Sequence, residues 1–129
     1  MDSSETWAQI PQEKMVVYQA TARKRQMQHQ QQLSQRQERA WVLARQAASL
    51  LRERFGVSRV AVFGSLVSSD RLHIRSDVDM AVWELDEKLY YRAVASLLAL
   101  DREIEIDLVM VEDAPASLRK VIEQEGIIL

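Results

Sequence analysis

From Gln12 to Arg54 the chain contains no Gly or Pro, and Gln, Arg, Ala, Glu and Leu dominate. All are good helix formers. Pro11 can open that helix, because a first-turn residue needs no N–H, and Gly56 suits its C-terminal cap. Trp41, Ala44, Ala48, Leu51 and Phe55 recur at three- and four-residue steps, which predicts the buried side of a core helix. Between Arg23 and Arg39 the only apolar side chains are Met27 and Leu33. Such a stretch cannot bury a face of ordinary width, so it is either a solvated helix or a disordered arm. Met15, Val16, Val17 and Tyr18 form a small apolar patch beyond it, a candidate docking point.

After Gly56 the period shortens. Val57–Phe63 reads as a short, Val-rich strand interrupted by Gly64-Ser65, and residues 66–76 are polar and irregular. Asp77–Trp83 alternates as a second strand, and Asp86 can cap a helix from about Glu87 to Leu100. Glu103–Val111 alternates as a third strand. Asp113 or Pro115 starts a last helix that ends at Gly126, and the apolar tail Ile127-Ile128-Leu129 can add an edge strand. The order helix, strand, turn, strand, helix, strand, helix predicts a small α/β (α+β) sandwich.

Charge divides the chain at the same place. Residues 1–56 carry nine Lys and Arg against five Asp and Glu, whereas residues 57–129 carry eight against fourteen. Eleven of the twelve glutamines lie in the first part. Opposite charge suggests different jobs for the two parts. The net charge of −2 argues against direct nucleic-acid binding, which usually needs a basic excess. With no Cys and only His29 and His73, disulfides, thiol catalysis and His-rich metal centres are excluded. No secretory signal and no apolar run long enough for a membrane span is visible, so a soluble, cytoplasmic protein is expected.

The candidate chemistry is acidic. In a strand, Asp77 and Asp79 leave the same face with Cα atoms roughly 6.5 Å apart. Carboxylates so placed can share two divalent ions about 3.5–4 Å apart. Val78, Met80 and Val82 face the other way and can pack under helices. The third strand repeats the pattern, with Ile104, Ile106 and Leu108 on one face and Glu105 and Asp107 on the other. If the two strands pair with acidic faces aligned, three or four carboxylates converge. An isolated Asp-x-Asp is usually a solvated strand edge, but acidic residues are poor strand formers, and two strands carrying them on one face are harder to dismiss. Gly64-Ser65 follows an apolar strand. There a Gly permits a tight turn, and free amides with the Ser hydroxyl can hold a phosphate, although an ordinary turn has the same residues.

The combination is more specific than its parts. Val62-Phe63-Gly64-Ser65, then Asp77-Val78-Asp79, then Ile106-Asp107-Leu108-Val109 after a helix, resembles the DNA polymerase β-like nucleotidyltransferases. It is most similar to their minimal nucleotidyltransferase (MNT) branch, the antitoxins of HEPN–MNT toxin–antitoxin pairs. The gap after Gly64-Ser65 holds eleven residues where the family usually has ten, and Ser68-Ser69-Asp70 stands where the family often has a Gly. The resemblance covers residues 41–129 and leaves 1–40 as an N-terminal helical or partly disordered extension. It implies a small mixed sheet packed by helices. It also implies catalytic, metal-holding roles for Asp77, Asp79 and Asp107, and nucleotide-binding roles for Gly64, Ser65 and Ser76. Two Mg²⁺ ions are implied, with ATP as substrate and a tyrosine hydroxyl of a cognate HEPN RNase toxin as AMP acceptor. Two other functions remain open at this point. One is an antitoxin that neutralises its toxin by complex formation alone. The other is a small-molecule nucleotidyltransferase, which usually needs a further substrate domain.

Overall fold

The computed structural model describes residues 11–68 and 78–129. The first element, α1 (Gln12–Phe55), is one uninterrupted helix. It starts at Pro11, whose carbonyl accepts from the Met15 amide at 3.1 Å. It ends where Gly56 enters the left-handed region at φ 65 and donates back to the Leu51 carbonyl, the conformation for which Gly is favoured. The buried face is Ala40, Leu43, Ala44, Ala47, Ala48 and Leu51, and Trp41 and Phe55 flank it half-buried. Small alanines let the helix approach the sheet closely, so the buried stripe is centred between the aromatics instead of on them. Upstream of Leu33 every described residue is exposed except the half-buried Met15.

The strands are β1 (Arg59–Phe63), β2 (Val78–Trp83), β3 (Ile106–Met110) and β4 (Ile127–Ile128), in the order β3-β2-β1-β4. β2 and β3 are parallel, while β1 runs antiparallel to β2 and β4, so the sheet is mixed. Parallel neighbours need a crossover. It is provided by a single turn, Glu87–Leu89, and helix α2 (Tyr90–Leu98). Asp86 caps that turn by accepting from the Lys88 amide at 3.0 Å. α3 (Ala116–Glu125) starts after Pro115. The tail is tied in by the Leu129 amide, which donates to Val60 at 2.9 Å.

The sheet has two different faces. Val60, Val62, Val78, Met80, Val82, Ile106 and Leu108 form one core with Leu51, Ala93 and Leu97 of the helices. On the other face Phe63 and Ala81 join Val111 and Ile122, with Trp83, Val109 and Leu118 packed around them. Asp79 shares strand parity with Ala81 and Trp83, and Asp107 with Val109. Both carboxylates therefore sit on the α3 face, where Asp79 is half-buried and Asp107 exposed. The third strand is shorter than expected. Residues 102–104 form a bend instead of extending β3, so Glu105 lies just ahead of the strand, although its carbonyl still accepts from the Val78 amide at 2.9 Å. Among the described residues no helix is long and apolar enough to cross a membrane.

Candidate active site

The end of β1 decides the geometry. After Phe63 in extended conformation, the chain turns through Gly64–Leu66, a single helical turn closed by the Val67 and Ser68 amides on the Gly64 carbonyl at 3.1 and 3.0 Å. Leu66, 3% exposed, anchors this turn in the main core. Gly64 has φ 75, which any L side chain adopts with strain. It also lacks room for one: an added Cβ would overlap the Asp79 carboxylate oxygen Oδ2 and lie 3.2 Å from its Cγ. The antiparallel pairing of Phe63 with Asp79 produces this close approach. Gly64 is thus the residue that lets the Ser65 turn lie directly against a carboxylate.

Asp79 in turn is directly opposite Asp107 in the parallel β2–β3 ladder, where neighbouring strands are about 4.8 Å apart. Gly64 just past the end of β1, Asp79 on β2 and Asp107 on β3 therefore meet at one end of the sheet, with Ser65 beside them. Asp77 and Ser76, expected in the same site, lie outside the described residues. The expected convergence of three or four carboxylates is consequently described for two. Glu105 is exposed outside the strand, and among the described residues no group of three His, Asp or Glu side chains is placed to hold a metal ion. The two carboxylates present an all-oxygen donor set of the kind Mg²⁺ takes, and Gly64 leaves Asp79 the space that a Cβ would fill. The residues present fit such an ion.

Sequence reasoning missed the support behind Asp107. Asp101 Oδ1 accepts from the Glu103 and Ile104 amides at 2.8 and 3.1 Å, shaping the bend that feeds β3. Arg39 of α1 forks onto both Asp101 oxygens at 3.0 and 2.9 Å and onto Glu103 at 2.8 Å. Partial burial of Asp101 raises its pKa, but the two amides and the Arg39 guanidinium outweigh it and hold the carboxyl below its ordinary value. Glu103 and Asp101 together raise the Arg39 pKa against its own partial desolvation. A pairing across sixty-two residues of sequence leaves no local signal. Trp83, which shares the strand parity of Asp79, is at the far end of β2 from it, with the Arg59 guanidinium 5.3 Å from its ring centre. His73, Arg71 and Arg75 lie outside the described residues.

Residues 45–129 match the family model described as Polymerase beta, Nucleotidyltransferase. The chain belongs to this nucleotidyltransferase family. No curated protein matches it in sequence. Similar solved structures include the toxin–antitoxin MntA–HepT, with 21% identity over 68% of this chain and 69% of that one, at a TM-score of 0.52. A toxin–antitoxin with AMP-PNP is 25% identical over 63% of this chain and 67% of that one, at 0.54. A tri-AMPylated Shewanella oneidensis HEPN toxin in complex with MNT antitoxin gives 22% identity over 69% and 70%, at 0.52. At these identities the likeness establishes the polymerase β-like fold.

Proposed function

We propose that this chain is a cytoplasmic antitoxin that transfers AMP from ATP to a tyrosine hydroxyl of a cognate HEPN RNase toxin and so silences it. The observation that carries this reading is the meeting of Gly64, Ser65, Asp79 and Asp107 at one end of the sheet, with Asp79 filling the space left by Gly64. The family and the toxin–antitoxin structures of similar fold support it. In this reading residues 41–129 are the catalytic domain and the preceding helix is an extension.

Asp77, Asp79 and Asp107 would hold two Mg²⁺ ions, whose charge offsets that of the triphosphate and makes the α-phosphorus open to attack. The Gly64 turn and Ser65 hydroxyl bind the β- and γ-phosphates, with Ser76 assisting. Asp107, at the strand end beside Asp79, orients the incoming hydroxyl and accepts its proton. The new bond joins that oxygen to the α-phosphorus. The bond to the bridging oxygen breaks, and pyrophosphate departs with the electron pair.

Intact-mass spectrometry of the toxin after incubation with ATP and Mg²⁺ tests the proposal. A mass gain of one or more AMP groups is expected, and Asp107→Ala is expected to slow transfer by roughly 100-fold or more. If the toxin's mass never changes and the Asp79→Ala protein still blocks toxicity in cells, neutralisation by contact replaces the enzymatic reading.

A further inference from the structure

β3 is an edge strand: among the described residues β2 lies on one side of it and no strand on the other. Along the open side runs a groove of about 430 Å³, lined among others by Tyr90, Tyr91, Leu108, Val109, Asp113 and Leu118. The Tyr90 hydroxyl donates to the Leu108 carbonyl at 2.8 Å, so a side chain occupies a place that a neighbouring strand would otherwise take. Its ring meets that of Tyr91 edge-on at 5.4 Å between centroids, and Tyr91 is 84% exposed. The charged groups lining the groove are Glu87 and Asp113, both acidic.

The groove begins beside the candidate site. Val109 follows Asp107 by two residues on the same face of β3, about 6.5 Å along the strand. The strand order then fixes two flanks. Gly64 and Ser65, at the end of β1, lie on one side of the Asp79–Asp107 pair, and the groove lies on the other. In-line displacement at phosphorus puts the attacking and leaving oxygens on opposite sides. With the triphosphate tail on the Ser65 flank, the attacking hydroxyl enters from the β3 flank. This step rests on the nucleotidyltransferase reading above.

We propose that the groove along the open edge of β3 is the acceptor-docking site, taking an extended, basic polypeptide segment of the partner and delivering its hydroxyl to Asp107. Because Tyr90 already holds the Leu108 carbonyl, the segment is seated mainly by the groove beside the strand, whose pockets take alternate side chains of an extended chain. Val109 and Leu118 provide an apolar wall there, and the exposed Tyr91 ring an aromatic rim. Glu87 and Asp113 select Lys or Arg on the segment. The same two carboxylates repel a phosphate backbone, which disfavours RNA as the occupant. Transfer then joins the segment's hydroxyl oxygen to the α-phosphorus of ATP, releases pyrophosphate, and passes the hydroxyl proton through Asp107 to solvent.

The natural absence of cysteine provides a direct test. Tyr91→Cys, labelled with a benzophenone maleimide and irradiated with the cognate HEPN toxin, should cross-link to one segment of that protein. The segment should be rich in Lys or Arg and within a few residues of a Tyr, Ser or Thr hydroxyl. In parallel, the surface variants Tyr91→Ala and Glu87→Lys/Asp113→Lys should raise the KM for the toxin at least 10-fold. Their kcat at saturation and their binding of a non-hydrolysable ATP analogue should stay within about 2-fold of the parent protein. Loss of analogue binding in these variants would make the groove a nucleotide pocket and overturn the proposal. So would cross-links scattered over the toxin, confined to a packed helix of it, or absent. If even the unaltered chain adds no AMP while the cross-link maps as described, the docking site stands and the enzymatic reading is the one that falls.

Discussion

At the scale of single residues, Gly64 is constrained twice. Its φ of 75 would cost an alanine about 1–2 kcal/mol, and the added methyl would displace the Asp79 carboxylate. Gly64→Ala should therefore destabilise the metal-free protein by more than the backbone penalty alone. Adding Asp79→Ala should recover the excess, with a coupling of at least about 0.5 kcal/mol in a urea-unfolding double-mutant cycle. Additive losses would show that the carboxylate moves aside freely. The Asp79–Asp107 pair makes a different prediction, because like charges directly opposite on neighbouring strands destabilise a sheet. Asp79→Asn should leave the metal-free melting temperature unchanged or higher, while abolishing the stabilisation conferred by ATP with Mg²⁺. A drop of several degrees in a metal-free thermal-shift assay would mark Asp79 as a structural residue instead. The sequence exposed which residues share a face, since strand parity needs only the spacing of Asp79, Asp107 and their apolar neighbours. It could not expose the contact between Gly64 and Asp79, which depends on how β1 registers against β2.

At the scale of elements, the helices and strands were readable wherever apolar spacing and turn residues agreed. Pro11, Gly56, Asp86, Pro115 and Gly126 stand at helix boundaries because each suits a cap or a first turn. The start of β3 was not readable. Alternation continues back through Glu103, yet Asp101 takes the Glu103 and Ile104 amides and bends the chain there. That bend ties α1 to the strand bearing Asp107 through Arg39. Asp101→Ala should cost about 1–3 kcal/mol, since it removes the acceptor of two backbone amides, whereas Asp101→Asn should cost less by keeping an acceptor. The sign with pH follows from the lowered pKa of Asp101. A carboxyl depressed in the folded state stabilises it above the unfolded value of about 3.9, and this contribution fades as pH falls through the folded value. The penalty of Asp101→Asn should be present at pH 7 and shrink below about pH 4. A penalty that stays constant from pH 7 to pH 3 in denaturant titrations would assign it to packing.

At the scale of the whole molecule, a basic, Gln-rich helix projects from an acidic sheet domain. Forty-four residues of helix extend about 66 Å, well beyond the stretch from Ala40 to Leu51 that is buried. Among the described residues, Arg36 and Arg39 are the first of the helix with hydrogen bonds to the domain, to Glu103 and Asp101. Ahead of them Val16, Val17, Tyr18 and Met27 are each more than half exposed, and the segment shows no buried stripe that would hold it to the sheet. An isolated helix gains little stability without such packing, so this arm adds little to the fold, while its apolar patch offers a surface for another protein. Deleting residues 1–35 should then leave a cooperative melt, with a midpoint within a few degrees of the full chain. The same deletion should lower the mass of the protein's assembly with its partner or with itself, measured by light scattering after size exclusion. A truncated chain that melts without a cooperative transition would place the arm in the folding unit. An unchanged assembly mass would leave the patch at Met15–Tyr18 without a role in association.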